Sequence, residues 1–117
     1  MEFKRSDRVA DQLQREVADL IFRRVKDPRV AGVTITGVDL TEDLRLAKIY
    51  YCVMGAPADD ARQNAAEGMN KARGFIRRQL GKRLRLRYLP QIEFHYDMSF
   101  DYGDKMERLL KELGEHE

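Results

Sequence analysis

The apolar residues change period along the chain, and that change restricts the folds open to it. From Ser6 to about Val25, Val9, Leu13, Val17, Leu20, Ile21 and Val25 recur at three- and four-residue steps, which predicts one face of an amphipathic helix. Ser6 and Asp7 suit its start. Asp27-Pro28 ends it, because a residue before proline is pushed out of the helical region. From Val33 the period drops to two. Val33 and Ile35 alternate with Thr34 and Thr36, and Val38 and Leu40 then carry the apolar face. The phase slips at Gly37, which predicts a bulge. After the Thr41-Glu42-Asp43 turn, Ala47, Ile49, Tyr51 and Val53 alternate with Leu46, Lys48, Tyr50 and Cys52, so the two strands form an antiparallel hairpin.

The second half repeats the switch. Ala61, Ala65, Met69 and Ala72 form a helical stripe that continues as Ile76, Leu80 and Leu84. Gly74 and Gly81 interrupt it, and each costs a helix about 1 kcal/mol relative to alanine. Two helices meeting near Ala72-Arg73-Gly74 are therefore expected. Pro90 opens a strand with Ile92, Phe94, Tyr96 and Met98 on one side and Glu93, His95 and Asp97 on the other. A short last helix fits Asp101 to Leu113. The expected class is α+β, one domain over residues 1–117. Its order is α-β-β-α-(kink)-α-β plus a short C-terminal helix, with helices on one face of a three-stranded sheet.

Charge is segregated although the net is only +2. From Lys71 to Arg87 there are eight bases and no acid: Lys71, Arg73, Arg77, Arg78, Lys82, Arg83, Arg85 and Arg87. From Gln91 onward eight acids face three bases. Such a chain attracts a polyanion on one side and repels it on the other. The plainer reading is a solvated helix face, but such faces normally mix signs. Six of the eight are arginine, which pairs bidentately with phosphate and stacks on bases. With Phe75, Ile76, Leu80 and Leu84 packed inward, Arg77, Arg78 and Lys82 point out. Arg85 and Arg87 share an exposed side if the chain is extended there. Lys4, Arg5 and Arg8 form a second basic patch, placed against the helix dipole.

Catalytic chemistry is thin. Ser6 and Ser99 sit where capping explains them. Cys52, His95 and His116 match no zinc spacing, and no phosphate-binding glycine loop is present. Glu93, His95 and Asp97 share a strand face but supply no nucleophile or orienting group. No metal, cofactor or catalytic residue is expected. A lone cysteine, no secretory signal and no apolar run long enough for a membrane predict a cytoplasmic protein.

The chain resembles the bacterial ribosome-binding factor A family over nearly its whole length. The resemblance rests on Arg8-Val9-Ala10, Lys26-Asp27-Pro28-Arg29, Val33-Thr34-Ile35-Thr36-Gly37-Val38 and Asp43-Leu44-Arg45. It continues through Ala72-Arg73-Gly74-Phe75-Ile76-Arg77, Leu80-Gly81-Lys82, Leu84-Arg85-Leu86-Arg87, Pro90, Phe94-His95-Tyr96-Asp97 and Ser99. It implies a type II KH-like fold in which an Ala-x-Gly kink, here Ala72-Arg73-Gly74, replaces the Gly-x-x-Gly loop that clamps single strands in ordinary KH domains. It implies a non-catalytic, monomeric partner of the free 30S subunit, not the 70S ribosome. That partner binds 16S rRNA during late maturation and processing and is linked functionally to a maturation GTPase. The alternative is a general single-stranded RNA-binding KH-like module. A third reading, an enzyme built on Glu93, His95 and Asp97, ranks far behind.

Overall fold

The computed structural model describes residues 5–53 and 59–99. Helix α1, Arg5–Arg23, is followed by a 3-10 turn at Pro28–Val30. Strands β1, Val33–Leu40, and β2, Leu46–Val53, pair antiparallel. Helix α2, Asp59–Arg83, then carries the chain back to β3, Gln91–Tyr96, which pairs parallel with β2. The sheet order is β1-β2-β3. A parallel neighbour needs a crossover, and α2 is that crossover.

The apolar periods become faces. Leu13, Val17 and Leu20 of α1, Ile49 of β2, and Met69, Ile76 and Leu80 of α2 are completely buried in one core. Both helices lie against the same side of the sheet, with α1 over β1 and α2 over β2 and β3. Lys48, Tyr50, Glu93 and His95 occupy the opposite side. Cys52 is a buried thiol, as a small apolar role on the hairpin requires.

The phase slip is a bulge. Ile35 faces Tyr51 and Gly37 faces Tyr50, leaving Thr36 as the extra residue. The hairpin closes through Leu44, whose φ of 62° is left-handed. Its N–H donates to the Thr41 carbonyl, and the Thr41 N–H donates to Leu46.

Three expectations change. First, α2 is one helix of 25 residues and does not divide at Ala72-Arg73-Gly74, so the order is α-β-β-α-β over the described residues. Gly74 costs about 1 kcal/mol. Burying Ile76 and Leu80 beyond it contributes about 1.5–3 kcal/mol each, so packing outweighs propensity. Second, β3 stops at Tyr96, and Met98 is exposed instead of sharing the strand's apolar face. Third, the two serines are not caps. Ser6 is buried inside the first turn of α1, and Ser99 donates to Asp97. The predicted helix over Asp101–Leu113 lies outside the described residues.

Gly68 fixes how α2 meets the 3-10 turn. A Cβ there would lie 2.8 Å from Val30 Cγ1 and 3.2 Å from Arg29 Cβ, so only glycine allows this approach. The turn is itself held by Asp27. Its carboxylate accepts from the Arg29 backbone N–H at 3.0 Å and from the Arg29 guanidinium at 2.7 Å.

Candidate nucleic-acid interface

Helix α2 sorts the basic block by direction. Lys71, Arg78 and Lys82 are spaced seven and four residues apart and therefore share one stripe of the helix. All three are exposed, as are Arg73, Arg85 and Arg87. None of these six makes an ion pair among the described residues. Arg73 sits on a different side of α2 from the stripe. Arg85 and Arg87 lie in the connection to β3, where the Arg87 guanidinium rests 5.4 Å from the ring centre of the exposed Tyr88.

The other two arginines face into the fold. Arg77 Nε donates to the Pro90 carbonyl and Nη2 to the Leu89 carbonyl, each at 3.1 Å. It holds the entry to β3. Arg83 Nη1 donates to Glu16 at 2.9 Å and to Asp19 at 2.7 Å, which ties the end of α2 to α1. The hydrogen bond from Arg83 holds the Asp19 carboxyl below its ordinary range, with Arg23 adding to the effect. Arg77 thus points toward the β3 connection instead of outward, because two carbonyls there need donors. Nothing in the sequence near Arg77 or Arg83 announces these partners.

The N-terminal patch is separate from the block. Arg5 and Arg8 are exposed on α1, and Lys4 lies outside the described residues. Arg8 is about 12 Å along the helix axis from Glu16, where Arg83 docks.

Glu93, His95 and Asp97 do not all converge on one another. His95 Nε2 lies 2.9 Å from Glu93 Oε1, and its ring lies 5.8 Å from that of Tyr50. Asp97 instead accepts from the Thr36 hydroxyl at 2.7 Å and from Ser99. Among the described residues no group of three or more His, Cys, Asp or Glu side chains is placed to hold a metal. No helix among them is long and apolar enough to cross a membrane.

The family model described as "Ribosome-binding factor A" matches residues 5–110. The chain belongs to the ribosome-binding factor A family. A ribosome-binding factor A from Syntrophobacter fumaroxidans is 61% identical over 117 residues, spanning the whole of both chains. Another, from Syntrophus aciditrophicus, is 47% identical and covers 99% of this chain and 93% of its own. The crystal structure of ribosome-binding factor A from Thermus thermophilus aligns with a TM-score of 0.68 at 25% identity, over 78% of this chain and 93% of that one. A homology model of Thermus thermophilus ribosome-binding factor A, fitted into a cryo-electron-microscopy map of a 30S complex, aligns with a TM-score of 0.60 at 27% identity, over 74% of this chain and 88% of that one. The fold is therefore the expected KH-like one of ribosome-binding factor A, with α2 continuous.

Proposed function

We propose that this protein binds the free 30S ribosomal subunit through 16S rRNA and assists its late maturation without catalysis. The observation that carries this reading is the exposed basic stripe of Lys71, Arg78 and Lys82 on a ribosome-binding factor A fold, with Arg73, Arg85 and Arg87 also exposed and outside any ion pair among the described residues. Membership of that family, one relative of which has been fitted into a 30S complex, supports it. On this reading the protein works in the cytoplasm as a monomer, discriminates against 70S ribosomes, and is linked to a maturation GTPase. Phosphate contacts supply affinity and position, and the shape of folded rRNA supplies selectivity.

The test reverses Arg78 and Lys82 to Glu and leaves Arg77 and Arg83 intact, since those two hold the fold. The double variant is expected to melt like wild type and to lose co-sedimentation with purified free small subunits. Unchanged co-sedimentation would sink the proposal. The alternative, a general single-strand module, predicts that short oligonucleotides bind as tightly as subunits do. The filled sequence of α2 through Ala72 and Gly74, with no open Gly-x-x-Gly loop, argues against it.

A further inference from the structure

A groove of about 480 Å³ lies between the end of α1 and α2, beside the Pro28 turn that Gly68 brings against α2. Its walls are basic. Arg24 and Lys26 are exposed on one side and Lys71 on the other, and none of the three makes an ion pair among the described residues. Its partly buried apolar lining includes Val25, Ala72 and the ring of Phe75. The acids nearby are already occupied. Arg29 clasps Asp27 and lies 3.6 Å from Glu67. Arg29, together with Lys71, keeps the Asp27 carboxyl down at about 2.

We propose that this groove receives one unpaired RNA nucleotide, with its base on Phe75 and its flanking phosphates on Arg24, Lys26 and Lys71. The assignment rests on the small-subunit reading above and extends it to residues outside the Lys71–Arg87 block. Three features favour it. The space falls in the size range of small-molecule sites. An apolar floor with an aromatic ring between cationic walls is how proteins hold a splayed base, whereas a paired base cannot reach a concave floor. The groove also opens onto the stripe already described: Lys71, Phe75, Arg78 and Lys82 follow at steps of four, three and four. That stripe is about 16 Å long at the helical rise, which lets the strand continue along α2 after leaving the groove.

The experiment uses free small subunits carrying 4-thiouridine in their rRNA. Wild-type protein is expected to crosslink within the segment Lys71–Phe75. Arg24→Glu/Lys26→Glu is expected to weaken subunit binding about tenfold or more and to flatten its log–log salt slope by about 1.4, two single-strand phosphate contacts at ~0.7 each. Phe75→Leu keeps the apolar volume. It is expected to melt like wild type, leave the salt slope alone and lose most of the crosslink. Wild-type affinity and slope in Arg24→Glu/Lys26→Glu, alongside lost binding in Arg78→Glu/Lys82→Glu, would overturn the groove and leave the small-subunit reading standing. Wild-type binding by both double variants would overturn the two together. Crosslinks confined to Arg85–Tyr88 would also remove the nucleotide from the groove.

Discussion

Lys71, Arg78 and Lys82 run along one stripe of α2 and meet solvent, whereas Arg77 and Arg83, each next to one of them, are tied into the fold. All five are basic and the sequence run is continuous. What differs is direction on the helix. A guanidinium beside the carbonyls of Leu89 and Pro90, or beside Glu16 and Asp19, completes hydrogen bonds that the fold needs. One on the outer stripe has water as its competitor and stays available. A basic run is therefore not one surface, and a charge-reversal scan that treats it as one would mix unfolding with lost binding.

The largest expected effect tests the outer half. Arg78→Glu/Lys82→Glu should weaken small-subunit binding by roughly a hundredfold, about 1.4 kcal/mol for each reversed contact, with an unchanged melting temperature. Co-sedimentation across a salt series checks it, and a shifted melting curve would break the separation of roles. Next comes the inner half. Arg77→Ala should cost about 2 kcal/mol of stability, because a partly buried charged donor to two carbonyls is removed. Arg77→Lys should not restore it, since one ammonium lacks the fork that reaches both oxygens. Denaturant unfolding measures both, and subunit affinity under native conditions should hardly move.

A smaller effect comes from acid. Asp27 is held at about 2 against an ordinary 3.8, first by its hydrogen bonds to Arg29, and Asp19 is held low first by Arg83. Carboxylates with lowered values add stability that is complete above 3.8 and fades as the pH falls through the folded-state value. The Asp27 contribution should therefore be lost between about pH 4 and 2. Arg83→Met should shrink the acid dependence that belongs to Asp19 while leaving that of Asp27 in place. Melting temperature against pH distinguishes the two. The smallest effect has the opposite sign. Gly74→Ala should stabilise the protein by up to about 1 kcal/mol, since α2 is continuous there. An added Cβ meets only Arg78 Nη1, at 3.6 Å. Destabilisation would mean that Gly74 is needed for a bend.

Much of this fold is legible where a period is long and unbroken. Val9 to Ile21 predicts α1, the alternation through Val33–Val53 predicts the hairpin, and the slip at Gly37 predicts the bulge. The division of α2 is misread because glycine propensity is local and small, while the burial of Ile76 and Leu80 that overrides it depends on α1 and the sheet. The candidate site is legible in composition but not in direction. The partners of Arg83 lie on α1, far off in sequence, those of Arg77 lie across the connection to β3, and no local pattern names either set. Arg23, Arg24 and Lys26 form a short basic cluster at the end of the first helical stripe, but only the fold sets Arg24 and Lys26 across a groove from Lys71. Gly68 gives no signal either, standing in a helical stripe where alanine would read the same.

The parallel pairing of β2 with β3 also sets the order in which the sheet closes. The β1–β2 hairpin joins neighbours across a short turn, at little loop entropy. β3 can find β2 only after all of α2 has been made and folded back, which is the contact of longer sequence separation. A chain emerging from its N-terminus therefore presents the β2 edge with bare N–H and C=O groups until its last strand arrives.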